Sequence, residues 1–197
     1  MAEPLSKGRF LALATVFEGG LLVVALLLGW WLDRNPLAGL RWQGRALSLG
    51  LLGTLPLLVF FGVAYRLEIP QMERIKRMLL ETLGPLLARC RWHELAYVAA
   101  LAGICEEALF RGVLQPWFES RWGPWPALLL SNVLFGLAHS VTLLYTVLAM
   151  LTGIYLGWLL QVSDGNLLVP VLVHSLYDFA AFLVVVLGYR QQHVAAD

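Results

Sequence analysis

Charged residues are scarce: Asp, Glu, Lys and Arg make up 14% of the 197 residues, about half of what a water-soluble domain carries. That shortage excludes an ordinary soluble enzyme and a disordered tail, because both need a polar surface facing water. The two signs nearly cancel at net +1, so there is no basic field with which to hold nucleic acid. Cysteine is nearly absent as well. Cys90 falls in a basic stretch and Cys105 in an apolar run, which is neither a disulfide framework nor a zinc spacing. No internal repeat and no low-complexity segment is evident. What is abundant is apolar sequence: 59% hydrophobic residues and 8 Trp, with a mean hydropathy of +0.73. Apolar runs of about 20 residues place the chain in a bilayer.

Reading the runs between charge clusters predicts six spans, 10–32, 46–66, 95–116, 125–141, 143–162 and 167–188, and therefore an all-α integral membrane bundle. Trp30, Trp31, Trp42, Trp92, Trp117, Trp122, Trp125 and Trp158 all lie within a few residues of a predicted end, where an amphipathic indole sits well at headgroup level. The first span follows Lys7 and Arg9 as a signal peptide would, but it runs long and no small-residue cleavage site precedes Trp30, so it reads as a retained helix. Six spans put both termini on one side with Lys7, Arg9, Arg66, Arg74, Lys76, Arg77, Arg89, Arg91 and Arg190, nine basic residues against four on the other. The positive-inside rule makes that side cytoplasmic. Between the second and third spans, Met72, Ile75, Leu79, Leu83 and Leu86 recur at helical spacing, with Glu73, Arg74, Lys76, Arg77 and Glu81 on the other face. This predicts a basic amphipathic helix on the cytoplasmic surface, or a solvated linker. The natural division is residues 1–94, with the first helices and the surface helix, and 95–188, with the polar motifs, in one folded unit.

Ionisable groups interrupt the later spans, each costing roughly 3 kcal/mol at a membrane centre. Glu106, Glu107 and Arg111 come first. Glu107 and Arg111 are four apart and share a helical face, while Glu106 is turned about 100° away. That separates a paired acid from one left to project into a cavity. Next are Phe135 and His139, again four apart, with Gly136 permitting close helix approach. Then His174 and Asp178 share a face after Pro170, an arrangement in which the Asp can orient the imidazole or raise its basicity. Each group alone is equally readable as interhelical hydrogen bonding. Together they supply carboxylates, two imidazoles and a guanidinium, a collection that acid–base chemistry uses and packing rarely needs. Glu18 is a single membrane acid without an evident motif, Gly153 with Gly157 reads as a close-packing face, and Asp164-Gly165-Asn166 as a turn.

Glu106-Glu107-x-x-x-Arg111, Phe135-x-x-x-His139 and His174-x-x-x-Asp178, in this order on successive apolar segments, resemble the CPBP family of intramembrane endopeptidases, the CAAX prenyl proteases and the bacteriocin-processing or immunity proteins. The resemblance covers about 95–188. It implies a glutamic-type peptide hydrolase with a site buried among helices and open toward the cytoplasm, acting on a membrane-anchored protein or peptide. By position, Glu106 would activate water with help from His139. His174 and residue 178 would stabilise the oxyanion, with Glu107, Arg111 and Phe135 in support. The prenyl proteases typically carry Asn where this chain has Asp178, and an ionised carboxylate cannot donate a hydrogen bond to an oxyanion. Either Asp178 is protonated or it positions His174 as the donor.

Metal independence is the expectation. Glu106, His139 and His174 could form a two-histidine, one-carboxylate set of the kind that binds catalytic zinc, but the histidines lie on different helices and a ligating Glu106 could not also be a free base. Two other classes compete with the hydrolase. A non-catalytic scaffold or immunity protein would keep the cluster for packing, though retention of all three motifs disfavours it. A proton-coupled transporter could use the same Glu and His, but no inverted repeat or paired broken helix is visible.

Overall fold

The structure, a computed structural model, describes residues 5–194. Nine α-helices and one π-helical turn are formed among these residues, and no strand. They are α1 (Lys7–Trp31), α2 (Gly44–Arg66), α3 (Pro70–Thr82), α4 (Gly84–Leu87), α5 (Trp92–Leu109), the π-turn Phe110–Leu114, α6 (Gln115–Trp122), α7 (Pro124–Ala138), α8 (Leu143–Val162) and α9 (Leu168–Val194).

Local chemistry sets the boundaries. Ser6 caps α1 by accepting from the Arg9 amide, and Thr142 caps α8 by accepting from Tyr145. Gly123, at φ 81°, ends α6 and starts α7. Asp164 and Gly165, at φ 56° and 70°, turn the chain from α8 into α9. The α1–α2 loop is tied to that turn: Asn166 exchanges hydrogen bonds with the backbone of Arg41, and the Leu167 amide donates to Gly39.

Four helices are long and apolar enough to cross a membrane: Lys7–Trp31, Gly44–Arg66, Leu143–Val162 and Leu168–Gln192. Their outer faces are apolar and exposed, with Val16 at 72%, Leu27 at 62% and Val59 at 66%. Hydrocarbon tolerates such a surface and water does not. The chain is a multi-pass helical membrane protein, and the two other predicted spans are built differently from these four helices. The predicted third span, 95–116, carries Glu106, Glu107 and Arg111, and it is an α-helix that breaks into a π-turn at Phe110. The predicted fourth span, 125–141, is a helix of 15 residues ending at Ala138, about 22 Å long and short of a bilayer's hydrocarbon thickness.

The predicted amphipathic helix is two helices, α3 and α4, whose apolar face is buried against the bundle. Met72, Ile75, Leu80 and Leu87 are buried while Glu73, Arg74 and Arg77 are exposed. Leu80 and Leu87 join a core with Leu95, Val185 and Val186, so the segment is packed onto α5 and α9.

Helix α9 is the axis of the bundle, against α5 on one side and α2 on the other, with α1 on the far side of α5 and α7 paired with α8. Small residues let α5 and α9 approach. A Cβ built on Gly103 would lie 2.2 Å from Ser175 Oγ and 3.0 Å from its amide nitrogen, so only glycine fits. Gly103→Val should separate α5 from α9 and lower stability by about 1–3 kcal/mol. Gly19→Ala, where nothing lies within 4 Å, should leave thermal unfolding in detergent unchanged or slightly improved. Equal unfolding temperatures for the two variants would refute this account of the contact.

Candidate functional site

The close approach at Gly103 brings the next turn of α5 against α9. Glu107, wholly buried, accepts at one oxygen, Oε1, from Arg111 Nη1 at 2.9 Å and from His174 Nδ1 at 2.8 Å. A carboxylate can only accept, so Nδ1 of His174 carries the hydrogen and Nε2 is the atom left to face the site. Asp178 Oδ2 stands 3.5 Å from that Nε2. The sequence reading gave the orienting role to Asp178; geometry gives the short contact to Glu107, 67 positions away in the chain.

Arg111 is buried to 1% exposure and reaches across the bundle. Its Nη2 donates to Asn132 Oδ1 on α7 and to the Gly153 carbonyl on α8, both at 2.8 Å, and its guanidinium lies 4.6 Å from the Phe135 ring centre. Gln115 donates to the Gly157 carbonyl one turn further. A Cβ at Gly153 would fall 2.6 Å from Asn132 Oδ1, and one at Gly157 2.5 Å from Gln115 Oε1. The two glycines thus form a close-packing face and also bare the carbonyls that the buried donors use. Asn132 and Gln115 had no place in the sequence reading, although a lone amide in each apolar segment was the available signal. The π-turn at Phe110–Leu114 contains this Arg, and such turns are frequent at functional sites.

His139 sits just past the last residue of α7, not within a helix. Its Nδ1 donates to the Phe135 carbonyl at 2.8 Å, its ring stacks 4.5 Å from Phe135, and its Nε2 faces Glu106 Oε2 at 3.6 Å. With the hydrogen on Nδ1, a neutral His139 offers Glu106 a lone pair. At 3.6 Å the two make no direct hydrogen bond, and a water can bridge them. Glu106 is 8% exposed, and Oε2 has no hydrogen-bond partner.

Beside this cluster lies a cavity of about 130 Å³ whose polar wall is His139, His174 and Asp178 with Tyr145 and Tyr177, and whose apolar wall includes Phe61 of α2 and Met72 and Ile75 of α3. A larger hollow of about 690 Å³ is lined by Arg34, Arg111, Glu119 and Asp164 among others, and by neither imidazole. Glu106, His139 and His174 do not assemble as metal ligands. His174 Nδ1 is held by Glu107, and among the described residues no group of three or more His, Cys, Asp or Glu is arranged to hold a metal ion.

A multi-pass helical membrane protein enclosing a Glu–His–Arg cluster beside a small cavity is the class that fold and site define. Residues 89–180, a little under half of the chain, match the family model described as type II CAAX prenyl endopeptidase, Rce1-like, which supports the likeness of this segment to the CPBP, or CAAX-protease, family. Helices α1 to α4 lie outside the match. A stretch of 80 residues is 39% identical to an Escherichia coli protein described as an uncharacterized 24.3 kDa protein; it spans 38% of this chain and 36% of that relative. No solved structure matches the chain.

The Glu107 hub has a direct stability consequence. Arg111→Met would strand a buried carboxylate, and breaking a buried pair from one side costs roughly 3–5 kcal/mol. Glu73→Gln, at the surface pair with Lys76, should cost no more than about 1 kcal/mol. Thermal unfolding in detergent measures both, and similar losses for the two would contradict the hub.

Proposed function

We propose that the protein is an intramembrane endopeptidase that hydrolyses a peptide bond in a membrane-anchored protein or peptide, with Glu106 as the base. The observation that carries this reading is Glu106 Oε2 facing His139 Nε2 at 3.6 Å, both as acceptors, next to a cavity walled by His174. A water between them donates one hydrogen to each and points its oxygen away from both, poised toward a carbonyl carbon. Attack forms the bond from water oxygen to that carbon while Glu106 takes one proton. The carbonyl electrons become an oxyanion, and His174 Nε2 donates to it when doubly protonated. Collapse breaks the C–N bond, and Glu106 returns its proton to the leaving nitrogen, releasing an amine and a carboxylic acid.

Asp178 fits this scheme as a carboxylate that compensates the charge on the His174 imidazolium, in place of an amide that would itself donate. Fixed donors in so poorly hydrated a site act more strongly than in water.

The reading extends to membrane placement. α5, the π-turn and α6 run as one helical path across the bilayer, and α7 makes a sixth, short crossing. Because α7 stops at Ala138, His139 is set below the surface on the side of α3 and both termini. The nine-to-four count of basic residues makes that side cytoplasmic.

Glu106→Gln should abolish proteolysis of a membrane fraction while leaving folding and insertion intact, since the amide keeps the size but takes no proton. His139→Ala and His174→Ala should lose activity by at least about 100-fold, the usual worth of acid–base or oxyanion groups. A purified Glu106→Gln protein with wild-type turnover would sink the assignment. For orientation, a cysteine engineered at exposed Arg77 should resist an impermeant thiol reagent added to intact cells. Labelling from outside would reverse the topology.

A further inference from the structure

The hollow of about 690 Å³ is walled by several connections of the chain at once: Asp33 and Arg34 come from the α1–α2 loop, Glu119 from α6, Trp125 from the start of α7 and Asp164 from the α8–α9 turn. These walls are fastened to one another without help from the charged side chains. The Arg34 amide donates to the Gly29 carbonyl at 2.7 Å, the Leu167 amide to Gly39 at 2.8 Å, and the Gln161 side chain to the Pro124 carbonyl at 3.3 Å. A Cβ on Gly29 would overlap the Arg34 carbonyl, and one on Gly112 the Pro36 carbonyl, so the loop is seated closely on α1 and the π-turn.

The charges in the wall are not spent on one another. Among the described residues the side chains of Asp33, Arg34 and Glu119 make no hydrogen bond or ion pair, whereas Asp164 faces Arg45 at 3.6 Å and the Arg111 guanidinium is taken by Glu107, Asn132 and Gly153. The wall therefore offers a ligand one guanidinium and two carboxylates, in a volume typical of small-molecule sites and far larger than an inorganic ion needs. Its depth in the bilayer follows from its neighbours. The four membrane-crossing helices α1, α2, α8 and α9 each have one end here, away from both termini. Trp125 in the wall and Trp31, two residues before Asp33, are both 74% exposed, and indoles so placed sit at headgroup level.

We propose that this hollow is a binding site for the headgroup of a phospholipid that carries both a phosphate and a primary ammonium, phosphatidylethanolamine, with Arg34 on the phosphate and Asp33 and Glu119 on the ammonium. The guanidinium fork suits a phosphate, and carboxylates can only accept, so the other pole of the ligand must donate. A choline headgroup has the same charges but no N–H to give. A glycerol headgroup has no cation at all and would bring its phosphate beside two unpaired carboxylates. The site stands apart from the peptidase reading, since its three uncommitted charges belong to none of the groups assigned to water activation or the oxyanion.

The test is lipid retention by purified full-length protein in detergent, measured by native mass spectrometry after adding dioleoyl phosphatidylethanolamine, phosphatidylcholine or phosphatidylglycerol, with thermal unfolding as a second readout. Phosphatidylethanolamine should be held about fivefold or more tightly than either of the others, the worth of one net hydrogen bond, and should raise the unfolding temperature with its concentration. Arg34→Gln should weaken retention of the lipid, and Glu119→Gln should erase the preference over phosphatidylcholine; Arg74→Gln, at an exposed position on α3, should do neither. Equal retention of the three lipids by the wild type would overturn the proposal, as would a preference that survives both Arg34→Gln and Glu119→Gln in folded protein. Free phosphoethanolamine that stabilises the protein as well as the lipid does would overturn the membrane source of the ligand.

Discussion

One carboxylate oxygen organises the centre of this protein. Glu107 Oε1 accepts from both Arg111 and His174, and through them it fastens α5 to α9 directly and to α7 and α8 through the guanidinium. In a bilayer, where apolar surface gains little by leaving lipid, such polar junctions and close small-residue contacts carry the specificity of helix packing. The glycines belong to the same design: Gly103 admits α9, and Gly153 and Gly157 expose carbonyls to buried donors. A charged hub would be expensive alone; Asn132, Gly153 and the Phe135 face satisfy most of what Arg111 presents.

From this hub the proposed chemistry follows by elimination of proton positions. Holding His174 at Nδ1 leaves Nε2 for the site, just as the Phe135 carbonyl holds His139 at Nδ1 and turns its Nε2 to Glu106. Two imidazoles thus expose the same atom, for opposite uses. His139 is free to accept beside Glu106, while His174, facing Asp178 at 3.5 Å, is placed to donate. Adjacent acids in the chain divide likewise. Glu107 takes two donors at Oε1, and Glu106 is left without a hydrogen bond at Oε2.

Much of this was legible from spacing, and the rest was not for definable reasons. The i, i+4 rule correctly pairs Glu107 with Arg111, Phe135 with His139 and His174 with Asp178 as neighbours, because helix geometry alone decides it. It says nothing about which faces meet across the bundle, so the Glu107–His174 bond and the reach of Arg111 to Gly153 were invisible. Hydropathy found the long apolar helices but not how the remaining two segments are built, since it registers neither the π-turn at Phe110 nor the early end of α7 at Ala138. The amphipathic stripe from Met72 onward was real, but periodicity cannot tell lipid headgroups from α5 and α9 as the surface that it covers. Glu18 was set aside for lack of a motif; its burial in the bundle is visible only in three dimensions.

The central claim, that water activated at Glu106 cleaves a peptide bond in a membrane protein, is tested most directly by isotope transfer. Membranes from cells carrying the wild type or Glu106→Gln are incubated in heavy-oxygen water, and the C-termini newly generated in the membrane proteome are identified by mass spectrometry. The account predicts new C-termini that carry the heavy oxygen, lie next to a membrane anchor and occur with the wild type alone. The same labelled termini with Glu106→Gln, or none that depend on the wild type, would contradict it.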